Sequence, residues 1–290
     1  MPRRQGTVVV DGIDIAYLQW GDPNLPGVVL THGMMAHARC WAFIAPLLAQ
    51  DYCLTAFDLS GMGDSGWRSS PYTIEARVAE CLAVAAQSGM SQSQRPALVC
   101  HSYGGSVGLT AVETQPDAWS SLIVCDMTML APSESPRFEE FRRRRAAREV
   151  QPHRVSPDFA AIQERYKLAP PQPCANDYLM EYMARHSVKQ VPDGFVWKFD
   201  PHILAAVEDR DDTWWQSIAA RFSALTLPRA VVYGEWSEMM SETARQYVTA
   251  QTNGQVPLVQ IDQAYHHIML DQPLAVVDAL SGLLAQLGPA

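Results

Sequence analysis

The chain has 290 residues, 48% of them hydrophobic and 18% charged, with a formal net charge of −9. That composition supports a sizeable folded core and excludes a fibrous or wholly disordered chain. The acidic balance argues against nucleic acid or an anionic membrane as partner, since both call for a basic surface.

No apolar run reaches membrane-span length, so membrane insertion is not expected. "MPRRQGTVVVDG" lacks the apolar core of a signal peptide, and the expected compartment is cytoplasmic. In chain order, "TVVV" and "IDIAYLQWG" read as strands joined at Asp11-Gly12, a hairpin leading a sheet. "GVVLTHG" is a buried strand ending in glycine. From Arg39 to Gln50, the residues Trp41, Ile44, Leu47 and Leu48 fall at helical spacing. "YCLTAFDLSG" is the next strand and Ile74 to Ser88 the next helix. "PALVCH" is a strand that runs into a helix after Ser102, and "SSLIVCD" a further strand. Late in the chain come "RAVVYGE", a helix from about Ser241, "VPLVQID" and a final helix after Pro273. Strands alternating with amphipathic helices predict an α/β fold, a mostly parallel sheet flanked by helices.

Between Asp126 and Thr213 that alternation stops. The stretch is rich in proline, and helical pieces are expected at Glu139 to Glu149, Asp158 to Leu168 and Asn176 to His186, with little that reads as strand. So long an interval is not a loop. It is expected to be a mainly helical cap, residues 131–212, inserted after the strand that follows Ser102 into a core of residues 1–130 and 213–290. Its place would be over the C-terminal edge of the sheet, where open α/β folds bind ligands. Arg142 to Arg145 read as a solvated helix face balanced by Glu139, Glu140 and Glu149. Phe195, Trp197, Phe199, Trp214 and Trp215 either line a pocket beneath the cap or pack its own core.

Cys40, Cys53, Cys81, Cys100, Cys125 and Cys174 stand singly, without a C-x-x-C pair. Cys53, Cys100 and Cys125 lie in or beside strand runs and read as small buried hydrophobes. The histidines lack the spacing of a zinc helix, and neither metal nor other cofactor is expected.

The chemistry gathers around "LVCHSYGGS", Leu98 to Ser106. A strand that feeds a helix through one tight residue projects that side chain towards the first N–H groups of the helix. Ser102 holds that place, with Gly104 and Gly105 after it and Cys100 where a glycine is usual. Two donors would face a tetrahedral oxygen: the backbone N–H of Tyr103 and that of Met34, just after Gly33. His32 is expected to brace that turn by hydrogen bonding. A base belongs late in the chain, and "DQAYHHIMLDQP" supplies His266 and His267 between the last strand and the last helix.

These segments resemble the α/β-hydrolase superfamily, in the group of small esterases, epoxide-hydrolase-like proteins, haloalkane dehalogenases and cofactor-free haloperoxidases. "VVLTHG", "FDLSGMGDSG", "LVCHSYGGS" and "AYHHIMLDQP" carry the likeness, and it covers nearly all the chain outside the cap. Gly61 to Gly66 is similar to the family's G-x-G-x-S turn near the site. Counting back from Asp271 and Pro273, the resemblance assigns the base to His266. Tyr265 and Cys100 replace glycines common in the family. The attacking residue is serine rather than the aspartate of epoxide hydrolases and haloalkane dehalogenases, which implies acyl transfer through an acyl-enzyme.

The family's acid often follows the strand after the cap, but "YGEWSEMMS" puts Ser237 there. Two carboxylates can replace it: Asp126, at the end of the strand after the nucleophile strand, and Glu238, beside Ser237. Asp126 is preferred, and Glu238 stays open. The expected activity is hydrolysis of a small carboxylic ester or related apolar acyl compound. Carbon–carbon bond hydrolysis and cofactor-free perhydrolysis would use the same residues. A non-catalytic protein holding a small ligand beneath its cap is the reading from outside enzymology.

Overall fold

The computed structural model describes residues 4–87, 95–146, 150–203 and 212–288. Eight strands form one sheet: β1 (Arg4–Val10), β2 (Ile13–Trp20), β3 (Gly27–Thr31), β4 (Cys53–Phe57), β5 (Ala97–His101), β6 (Ser121–Cys125), β9 (Arg229–Gly234) and β10 (Leu258–Ile261). Their order is β1-β2-β4-β3-β5-β6-β9-β10. β1 and β2 pair antiparallel, as do β2 and β4, and every later pairing is parallel. Asp11 and Gly12 both have positive φ, 51° and 76°, which suits a two-residue hairpin turn.

All residues of β3, β4, β5 and β6 are buried. That is why these strands read as unbroken apolar runs: helices cover both faces of a parallel sheet. One core side gathers Leu98, Cys100, Val107 and Val124, and the other Val28, Leu30, Val99 and Ile123. The chain steps from β3 outward to β4, then returns to place β5 on the other side of β3. This reversal makes the C-terminal ends of β3 and β5 a topological switch point, the usual ligand position in open α/β sheets.

Most expected helices are present: Ile74–Gln87, Tyr103–Thr114, Glu242–Gln251 and Pro273–Leu287. Ser241 caps the third, its hydroxyl accepting the Ala244 N–H at 3.1 Å. The helix expected from Arg39 to Gln50 is instead a 3₁₀ turn, Ala38–Trp41, and a single α turn, Ala45–Leu48. Pro46 is the cause. It lacks an N–H and would clash with the carbonyl four residues back, so it fits only the first turn of a new helix. Leu47 accordingly points to solvent, while Trp41, Ile44 and Leu48 are buried.

Between β6 and β9 lies the insertion, with helices Ser135–Ala146, Phe159–Gln163 and Asp177–His186. The second is much shorter than expected, although Asp158 caps it through the Ala161 N–H at 2.8 Å. The insertion also contains an antiparallel hairpin, β7 (Val188–Val191) with β8 (Gly194–Trp197), which corrects the reading of this region as nearly free of strand. The missed signal is "VKQVPDGFVW": a Pro-Asp-Gly turn between short β-prone runs.

The insertion's aromatics pack on one another, and Phe138, Phe199, Trp214 and Trp215 also pack on the apolar core beside the sheet. Phe195 meets Phe159 edge-on, Trp197 leans on Tyr166, and Trp215 meets Phe138 and Trp214. Phe199 packs against His153. Arg143 pairs with Glu139 at 3.5 Å and Glu140 at 3.9 Å while staying exposed, as a solvated face requires. The side chains of Arg142, Arg144 and Arg145, and Glu149 altogether, lie outside the described residues. Among the described residues no helix is long and apolar enough to cross a membrane.

Cys100, which replaces a glycine, is accommodated from across the layer. A Cβ on Gly108 would come within 2.4 Å of the Cys100 sulfur. The helix therefore has a glycine where alanine would ordinarily be preferred by ~1 kcal/mol. Gly108→Ala is expected to destabilise the fold by roughly 1–3 kcal/mol through overpacking. Cys100→Ala in the same chain should recover most of that loss. Urea midpoints of the parent, both single variants and the double variant test the coupling; strictly additive effects would show that the sulfur is not the obstacle.

Candidate active site

Ser102 joins β5 to the helix Tyr103–Thr114 with φ 53° and ψ −122°. A non-glycine residue holds such a conformation only where its surroundings enforce it. The Ser102 N–H donates to the Cys125 carbonyl at 2.9 Å. Close packing completes the elbow. A Cβ on Gly104 would meet Thr31 Oγ1 at 2.6 Å, and one on Gly33 would meet the Ser102 Cβ at 3.0 Å. The turn carrying Met34 thus lies directly against the serine. Tyr103 is the first residue of the helix, directly after Ser102, at the end where the helix dipole is positive. The two candidate oxyanion donors therefore flank Ser102.

His32 braces the Met34 turn as expected. The Leu59 N–H donates to its Nε2 at 3.0 Å, which leaves Nδ1 as the protonated nitrogen, 2.7 Å from the Gly33 carbonyl. Burial lowers its pKa to about 4, so the ring is neutral near pH 7. Behind the same turn, the buried Asp58 accepts the N–H groups of Ala38 at 2.6 Å and Asp64 at 2.7 Å. The turn from Gly61 to Gly66 closes on itself through Gly61 N–H to the Gly66 carbonyl at 2.8 Å.

His266 follows β10 on a loop pinned to the loop after β9. The Trp236 N–H donates to the Ala264 carbonyl at 2.9 Å, and a Cβ on Gly234 would strike the Tyr265 carbonyl at 2.2 Å. Nε2 of His266 lies 2.8 Å from Ser102 Oγ. Its Nδ1 lies 3.5 Å from Asp126 Oδ2. That separation is an ion-pair contact, longer than an ordinary hydrogen bond by about half an ångström. Catalytic contacts are often this loose without substrate.

Asp126 is fully buried and has positive φ, 51°. Burial pushes its carboxyl up from the usual range, while His266, the Ser237 hydroxyl and the Gly234 N–H draw it back down. Ser237 is thus a neighbour of the carboxylate whose usual place it fills. Glu238 is exposed. Cys100 is buried in the core and its thiol is pushed up to about 12 by burial, so it offers no thiolate. All six cysteines are free. Among the described residues, no group of three or more His, Cys, Asp or Glu side chains is arranged to hold a metal ion.

Residues 28–279 match the family described as the alpha/beta hydrolase family. The chain belongs to that family. Among curated relatives of this α/β hydrolase, a mouse serine hydrolase-like protein is 34% identical over 134 residues, 45% of this chain and 42% of that one. Lipase LipV of Mycobacterium tuberculosis is 34% identical over 116 residues, 39% of this chain and 42% of that one. The matched stretch thus spans under half the length of either relative. A solved thioesterase domain from the curacin biosynthetic pathway superposes with a TM-score of 0.79 over 96% of this chain and 99% of that one, at 21% identity. At that identity the likeness is one of fold.

Of the residues singled out in sequence, Ser102, His266, Asp126, Met34 and Tyr103 come together at the C-terminal ends of β3 and β5. His267 is buried beside His266, ring to ring at 5.0 Å, and its backbone N–H donates to Gln172 Oε1 at 2.9 Å. Burial lowers its pKa to about 3. Sequence reasoning missed two contributors. His101 precedes Ser102 and bonds through Nε2 to the His266 carbonyl at 3.0 Å; its place in "VCHS" was the available signal. Gln172 sits in a proline-rich run with no periodicity, and nothing local marks it.

Buried neutral histidines make the fold acid-sensitive. An unfolded histidine protonates near pH 6.5, whereas His32 resists to about 4, so the unfolded chain binds the extra proton between those values. The stability His32 contributes is complete above about pH 6.5 and is lost as pH falls toward 4. Asp58, pushed up to about 6 by burial, acts in the opposite direction. His32→Gln removes only the histidine term. Its urea midpoint is expected to fall less than the parent's between pH 7.5 and pH 5; equal falls would mean that His32 is not the group protonated on unfolding.

Proposed function

We propose that this chain is a serine hydrolase that cleaves a small carboxylic ester or related apolar acyl compound through an acyl-enzyme. One observation carries the reading: Ser102 Oγ lies 2.8 Å from His266 Nε2, with the Asp126 carboxylate behind the far ring nitrogen. Ser102 is the nucleophile. Its proton passes to His266 as Oγ attacks the carbonyl carbon, and the new oxyanion faces the N–H groups of Met34 and Tyr103. Collapse expels the leaving group, which takes the proton from His266 and leaves the acyl chain on Ser102. A water molecule activated by His266 then releases the acid.

Asp126 is the acid in this reading. A carboxylate facing Nδ1 keeps the proton there, presents Nε2 as acceptor and stabilises the imidazolium formed during attack. Its rigidity favours it over Glu238, which must order a longer, exposed side chain. The substrate class rests on the surroundings. Met34, Met35 and Tyr103 pack against the apolar core around the serine, and Met127 closes on Gly105 behind it. Carbon–carbon hydrolysis or perhydrolysis would run on the same residues with a different acyl donor or acceptor.

A fluorophosphonate probe should label the parent protein at Ser102, and Ser102→Ala should lose at least about 10³-fold in kcat on the best p-nitrophenyl ester. A folded parent that takes no probe would favour a non-catalytic ligand-binding role. Asp126→Asn is expected to lose at least about 100-fold in kcat, and Glu238→Gln less than about tenfold. Both kcat values on one ester, with circular dichroism for folding, decide the acid; the reverse ranking moves it to Glu238.

A further inference from the structure

Three side chains grip the backbone around His266, each from a different part of the fold. His101, beside the nucleophile, bonds through Nε2 to the His266 carbonyl at 3.0 Å. Asp271, at the end of the short helix Ile268–Asp271, accepts the Tyr265 N–H on Oδ2 at 2.8 Å. Gln172, from the insertion, accepts the His267 N–H on Oε1 at 2.9 Å and donates from Nε2 to that same Asp271 oxygen at 2.9 Å.

The His266 carbonyl and the His267 N–H belong to one peptide unit. His101 and Gln172 therefore hold opposite sides of a single plane, the one that follows the His266 Cα. Gln172 also locks Asp271, which holds the Ala264–Tyr265 peptide, one residue upstream of His266. A primary amide offers one acceptor oxygen and a donor nitrogen, so this pair of partners fixes its orientation. The strap carrying Gln172 is held again at Asn176, whose Nδ2 donates to the Leu270 carbonyl at 2.7 Å and the Asp271 carbonyl at 3.0 Å.

We infer that Gln172 is a positioning residue through which the insertion holds His266 in register with Ser102. The inference rests on the proposed role of His266 as base. Gln172 touches none of the reacting atoms. It acts by fixing the peptide that follows His266 and, through Asp271, the Ala264–Tyr265 peptide upstream of it, and small displacements of a catalytic group cost rate steeply.

Two substitutions separate positioning from packing. Gln172→Met keeps nearly the same volume and removes both hydrogen bonds. It is expected to lose roughly 10- to 100-fold in kcat and in the rate of fluorophosphonate labelling, with KM within about threefold. Gln172→Glu keeps an oxygen for the His267 N–H but sets a second carboxyl against Asp271. With one shared proton the bridge is retained; once both ionise, the carboxylates repel. Asp271 is already pushed up by burial, and the other ionisable groups acting on it are Cys174, from the strap, and Asp126. The kcat of Gln172→Glu relative to parent at the same pH should lie within about threefold at pH 5.5 and fall to the Gln172→Met level by pH 8.

A merely structural role would lower the melting temperature and leave that ratio independent of pH. A parent that labels at Ser102 while both variants keep parental kcat at every pH overturns this inference alone. A parent that takes no label overturns the hydrolase reading and this inference with it.

Discussion

One peptide unit, between Cys125 and Asp126, fixes the distances on which the site depends. Its carbonyl accepts the Ser102 N–H at 2.9 Å, and its N–H donates to the Val232 carbonyl at 2.7 Å. The elbow on one side and β9 on the other are thus tied to the same rigid plane. From that plane the Asp126 side chain departs at positive φ, toward the loop after β10. Two positive-φ residues of the site, Ser102 and Asp126, hang on this unit. Strain of that kind persists only where the surroundings over-determine it, and a fully buried β5–β6 pair provides that support.

The fold was legible in sequence because its central strands are buried on both faces. Runs such as "ALVCH" and "SLIVC" are apolar for that reason, and each of the eight strands of the sheet overlaps a run read as strand, with β1 starting three residues before "TVVV". The exceptions have local causes. Pro46 divides a stretch whose apolar spacing alone suggests one helix. The hairpin Val188–Trp197 is half solvent-exposed and short, so its alternation is weak against the surrounding helical pieces.

The site was legible where chemistry forces a residue type at a turn, and opaque where a long-range contact does the work. Ser102 and His266 can be read from strand-turn-helix patterns and chain order. The choice between Asp126 and Glu238 turns on which carboxylate faces Nδ1, which no local pattern encodes. Ser237 explains the vacancy: its hydroxyl lies by the Asp126 carboxyl, so a small donor suits that place when the charge arrives from β6. Gln172 is the extreme case. Its two partners lie 95 and 99 residues away, and its own neighbourhood is three prolines and a cysteine.

The same sequence distances bear on how the insertion breathes. Several of its fastenings reach across the chain: His37 to Ser187, Trp67 to Lys198, Tyr72 to Asp200 and Gln172 to Asp271. Each of these four anchors is a loop or short turn of the core rather than another piece of the insertion. A hydrogen bond cannot outlast the segment it is made to. Protection of the strap against hydrogen exchange is therefore capped by the opening of the loops it grips, and the β5–β6 pair can remain closed while both come free.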